Sequence, residues 1–167
     1  MWRRAVVMWG VWAGIIALPL EGETQVLLGF VDSDTRFAVQ GAVEGAAARL
    51  SNARCQAVLA DFADESGQDL RTRLLATGRR PADAFAALRV VDSGGTPQCK
   101  AGSTLAFTTI GSQVIHVCGP PFVKRSLRNR MTAEIILIHE FLHTLGLGEN
   151  PPTSDAITAQ VTLRCGG

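Results

Sequence analysis

The stretch His139-Glu140-Phe141-Leu142-His143 constrains this chain more than any other. It is an H-E-x-x-H set in an apolar run, with Glu134-Ile135-Ile136-Leu137-Ile138 before it and Thr144-Leu145-Gly146 after it. That density of apolar residues reads as a buried helix. Residues four apart on a helix lie one above the other, so both imidazoles can point at a single ion. Glu140, one position round from His139, is placed to act as a base on water that such an ion activates. The rival reading is two core histidines that merely satisfy hydrogen bonds, beside a surface or supporting acid. Burying two imidazoles and a carboxylate on one stripe without a partner is costly, and a metal supplies the partner.

The residues that follow extend the pattern. Gly146 comes three positions after His143 and Glu149 six after it. A Gly just past a helix can adopt the left-handed conformation that turns the chain, and Pro151 and Pro152 prevent the helix from resuming. A reversal at Gly146 brings Glu149 back toward the two imidazoles as a third ligand. Asp155, further downstream, is the competitor for that role, and the Gly146 turn favours Glu149.

The segment His139-Glu140-x-x-His143-x-x-Gly146-x-x-Glu149 resembles the extended zinc motif of the metzincin peptidases, with Glu149 where that clan carries a third His or an Asp. The run from His139 to Thr158 is similar to a group of small secreted bacterial zinc metallopeptidases, and the region from about Cys55 to Cys165 resembles it more loosely. Two features depart from the metzincin pattern. Met1, Met8 and Met131 all precede the motif, so no Met-turn follows the ligands, and only 18 residues come after Glu149. The resemblance implies an α+β, zincin-like fold: a mixed β-sheet packed against an N-terminal helix and the H-E-x-x-H helix, then a short C-terminal tail. It also implies one zinc per chain on His139, His143 and Glu149, with Glu140 as general base.

The first residues read as a secretory signal, with Arg3 and Arg4 ahead of an apolar stretch from Ala5 to Leu18. Ala17 and Gly22 are the best small residues for the final position before cleavage, and an uncleaved anchor is the alternative. A signal over 1–22 leaves 23–167 as a single domain, long enough for one core. Trp2, Trp9 and Trp12 all fall in the leader and the chain has no Tyr. Loss of Arg3 and Arg4 alone leaves 14 basic residues against 15 acidic ones, so nothing suggests nucleic-acid binding. The cluster Lys124, Arg125, Arg128 and Arg130 reads as the solvated entrance to the metal helix. Export to a secreted or periplasmic location, no stable membrane association once the signal is removed, and a monomeric state complete this expectation.

Cys55, Cys99, Cys118 and Cys165 all follow the leader, and an even count in an exported chain suggests two disulfides. No C-x-x-C pair is present to hold zinc. Three pairings are open. Cys99–Cys118 with Cys55–Cys165 is favoured, because the first would flank a hairpin and the second would pin the tail.

Along the chain, strands are expected at Gln25–Val31, Gln56–Phe62 and Phe85–Val91, and helices at Phe37–Leu50 and Leu70–Ala76. A hairpin is expected from Thr104–Thr109 and Gln113–Cys118 around Ile110-Gly111-Ser112. The metal helix should begin between Ser126 and Thr132, with Thr132 as a cap, and end at Leu145. The hairpin should supply an exposed edge able to pair with an extended peptide. His116 reads as a half-exposed strand residue, with oxyanion stabilisation as its functional alternative. The expected activity is hydrolysis of peptide or protein substrate. The alternatives are a zinc amidase acting on cell-wall peptide and a zinc-stabilised binding module without catalysis.

Overall fold

The computed structural model describes Phe30 and residues 32–167. The expected leader lies outside the described residues, as does the expected strand Gln25–Val31 apart from Phe30. The described chain is α+β. Its helices are α1 (Ser33–Leu50), α2 (Ala53–Gln56), α3 (Leu70–Leu75), α4 (Pro81–Ala86), α5 (Pro97–Lys100), α6 (Gly119–Arg128), α7 (Arg130–Thr144) and α8 (Ser154–Cys165). Its strands are β1 (Arg89–Asp92), β2 (Ala106–Phe107) and β3 (Val114–Val117). The sheet order is β1-β3-β2, with β3 parallel to β1 and antiparallel to β2. It is therefore the mixed sheet expected, and the hairpin strand β2 forms one of its edges.

α1 begins where the Asp32 carboxylate accepts from the Thr35 amide at 2.7 Å. Its buried face carries Val39, Ala42, Val43, Ala46 and Leu50, spaced three and four apart. The expectation put this helix and the metal helix together on one face of the sheet. α7 contacts β2 and β3, and α1 packs mainly on α4, α6 and α7. Where α1 crosses α7, a Cβ on Gly45 would stand 2.2–2.9 Å from the Glu134 side chain. Gly45 thus leaves room for a buried carboxylate, which Arg49 (2.6 Å) and Arg130 (3.1 Å) neutralise.

α7 is the centre of the core. Ile135, Leu137, Ile138, Phe141 and Leu142 are all buried on it, and each such side chain is worth about 1.5–3 kcal/mol removed from water. Phe141 meets Phe85 of α4 edge-to-face, with centroids 5.7 Å apart. The helix is capped by Asn129, whose side chain accepts from the Thr132 amide at 3.3 Å, so Thr132 supplies the donor and is not the cap.

Three expected elements differ. Gln56–Phe62 is not a strand: Asn52 caps the short α2, and a 3-10 turn at Ala57–Ala60 buries Val58 and Leu59. Phe85 belongs to α4, because Pro81 starts that helix, and β1 begins only at Arg89. The short tail is the twelve-residue helix α8, which buries Ile157, Val161 and Cys165. Both favoured disulfides are present, Cys55–Cys165 joining α2 to the end of α8 and Cys99–Cys118 flanking the hairpin. Among the described residues, no helix is long and apolar enough to cross a membrane.

Candidate metal centre

α7 ends in a Schellman motif, and that motif builds half of the site. The Gly146 amide donates to the His143 carbonyl at 3.0 Å and the Leu147 amide to the Leu142 carbonyl at 3.2 Å. Gly146 has φ +103°, where an L side chain is strained. The turn buries Leu147 and aims its carbonyl oxygen at His143 Nδ1, 2.8 Å away. A carbonyl can only accept, so His143 Nδ1 carries a proton, and in the neutral ring Nε2 is left with the lone pair.

One turn earlier, His139 Nδ1 lies 2.9 Å from the Thr158 hydroxyl of α8. The two Nε2 atoms face each other at 3.0 Å. Glu149 Oε1 stands 3.6 Å from His139 Nε2 and 3.3 Å from His143 Nε2. His139, His143 and Glu149 therefore form a group that can hold a metal ion. Four-coordinate zinc with bonds of 2.0–2.1 Å sets its donors about 3.3 Å apart, and the three separations here bracket that value. Asp155 sits exposed in the first turn of α8, outside this group.

Burial, reinforced by repulsion from His143, pushes His139 down to a pKa of about 4. The imidazole is thus neutral at ordinary pH, the form in which histidine binds a metal. Glu140, also buried, is pushed the other way: burial first and then the charge of Glu149 raise it to about 8.

Glu140, His143 and Glu149 open onto a cleft of about 400 Å³ walled by Ala106, Phe107, Thr108 and Ile110 of the hairpin and by Ser154. The wall includes the whole of the edge strand β2. His116 does not line this cleft. Its Nδ1 meets the Ser93 hydroxyl at 2.8 Å, and its ring stacks on Phe107, centroids 4.7 Å apart, so it supports a residue that does. Thr153 caps α8, accepting from the Ala156 amide at 3.3 Å. A larger groove of about 620 Å³ between α1 and α6 shares no residue with the cleft.

Sequence reasoning passed over Thr158, the Leu147 carbonyl and Phe107 as parts of the site. The Leu147 contact was implicit in the Gly146 turn. Thr158 lies 19 residues from His139 with no periodic relation to it, and only the packing of α8 on α7 brings the two together. No protein-family model, curated protein or solved structure matches this chain.

Proposed function

We propose that this protein is a secreted zinc-dependent peptidase of zincin-like fold. One observation carries the reading: two buried imidazoles and a carboxylate converge within 3.0–3.6 Å, with the buried acid Glu140 beside them on an open cleft. A purely structural zinc site closes its fourth position and needs no such acid, which weighs against the binding-module reading.

His139, His143 and Glu149 are the ligands in this reading. Zinc held there would supply a water of lowered pKa, about 7, and a Lewis acid for a carbonyl. Glu140 supplies the proton transfers. As a carboxylate beside the ligands, it would take a proton from the attacking water and return it to the leaving amine. An extended peptide adds as a strand along β2, whose outer edge is unpaired among the described residues, and its side chains meet Phe107 and Ile110.

The test compares zinc content and peptide-library cleavage across variants of the mature protein. Wild type should hold one zinc per chain. Glu149→Ala should lose zinc affinity and activity together, whereas Glu140→Ala should keep the ion and lose turnover. Asp155→Ala should keep both. A wild type that binds no divalent metal at micromolar concentration would end the proposal, and zinc lost from Asp155→Ala but kept by Glu149→Ala would reassign the third ligand.

A further inference from the structure

We infer that Thr158 is a positioning residue for the metal site, and that presenting it is a function of α8. The inference rests on the zinc reading above and adds to it a determinant of metal affinity outside the H-E-x-x-H segment.

The two imidazoles are oriented by different means. His143 owes its tautomer to a backbone carbonyl that arrives automatically with the Gly146 turn. His139 has no such carbonyl. Its Nε2 can offer a lone pair only if Nδ1 keeps the proton, and that proton needs an acceptor. Among the described residues, the Thr158 hydroxyl at 2.9 Å is the one group hydrogen-bonded to this nitrogen. A hydroxyl can donate or accept, so with a cation on Nε2 it would accept from Nδ1–H, holding the ring's rotation and raising the ligand's basicity. Thr158 Oγ1 has no other hydrogen bond to a described residue, so the hydroxyl is not explained by the needs of its own helix.

α8 is mounted firmly enough for this task. Ile157 and Val161, flanking Thr158 on the buried side, sit in the same core as α7. The Asp61 carboxylate binds Arg164 through two bonds of 2.7 Å and Gln160 through another of 2.7 Å. The Cys165 carbonyl accepts from Arg49, and its sulfur is bridged to Cys55. The hydroxyl is thus held in place by contacts spread along the whole helix.

The decisive experiment is zinc competition against a chromophoric chelator for wild type, Thr158→Val and Thr158→Ser, with thermal unfolding of each metal-free protein. Valine keeps the shape and removes the acceptor; serine keeps the acceptor. Thr158→Val should weaken zinc binding about 10- to 100-fold. Thr158→Ser should restore most of that loss, and the metal-free unfolding temperatures should not follow the same order. Imidazole NMR of the zinc-loaded protein should show a protected His139 Nδ1–H in wild type and Thr158→Ser, and its loss of protection in Thr158→Val. Wild-type affinity in Thr158→Val overturns the inference, as does an equal loss in Thr158→Ser. A wild type without zinc affinity overturns the zinc reading itself, a separate result.

Discussion

The amide of Gly111 donates to the carbonyl oxygen of His143 across 2.9 Å, so the tip of the hairpin is fastened to the end of α7. The same carbonyl receives the Gly146 amide, which makes it a junction between the cleft wall and the turn that forms the site. Gly111 has φ +75° and open space around its Cα. Gly111→Ala should therefore cost about 1 kcal/mol of backbone strain and leave zinc affinity intact. Urea unfolding and a zinc titration check both halves, and an unchanged urea midpoint would count against the turn geometry.

Gly146→Ala should cost more, on the order of 2 kcal/mol, because strain and crowding act together there. Its Cβ would stand 3.2–3.3 Å from Arg73 and Asp64, which are joined to each other by an ion pair. Any shift of the turn also draws the Leu147 carbonyl away from His143 Nδ1. This substitution should lower zinc affinity where Gly111→Ala does not. Equal zinc affinities in the two variants would separate the turn from the metal site.

The contrast between these glycines shows what the sequence makes legible. The paired histidines, the turn at Gly146 and the return of Glu149 are local, so spacing alone anticipates them. The hairpin around Gly111 and the helix through Ala42 and Ala46 follow from periodicity in the same way. Prolines were harder. Pro81 and Pro97 each stand at the first position of a helix, where a missing amide costs nothing, although the same residue inside a helix would break it. The short apolar run Ala57–Ala60 fits a strand or a helical turn equally, and the Asn52 cap decides for the turn. The largest omission was α8. Its signals were present, in Thr153 as cap, Asp155 in the first turn, and Ile157, Val161 and Cys165 four apart. Thr158 could not have been singled out, since its value depends on tertiary packing alone.

The metal-free protein should have a distinctive pH dependence. Glu140 is raised from 4.5 to about 8, so its contribution to stability is complete below pH 4.5 and disappears as pH rises through 8. His139 is lowered from 6.5 to about 4, so its contribution is complete above pH 6.5 and disappears as pH falls toward 4. The two trends oppose each other between pH 4.5 and 6.5, and only the Glu140 loss continues from pH 6.5 to 8. Urea midpoints measured with chelator should therefore fall over that upper window in wild type and stay level in Glu140→Gln. A level wild-type curve would contradict the burial assigned to Glu140.

The two disulfides should differ in their effect on metal binding. Cys55–Cys165 closes a span of 110 residues and Cys99–Cys118 one of 19. On chain-entropy grounds their removal should cost about 4–5 and about 3 kcal/mol respectively. Replacing Cys55 and Cys165 by Ser should also weaken zinc binding, because it loosens the helix that carries Thr158. Replacing Cys99 and Cys118 should leave zinc affinity near wild type. Chelator competition on both double variants measures this, and equal zinc losses would show that α8 holds its place without the bridge.

The position of α8 after the metal helix also imposes an order on biosynthesis. A ribosome delivers His139 and His143 before Thr158, and Thr158 before Cys165. While the chain is still emerging, the paired imidazoles exist without the hydroxyl that fixes one of them and without the bridge that anchors their brace. In the zinc reading, a half-made chain lacks part of what would hold the ion. The brace behind His139 is complete only once the thiols of Cys55 and Cys165 have met an oxidant, which on that reading ties the filling of the site to the formation of that bond.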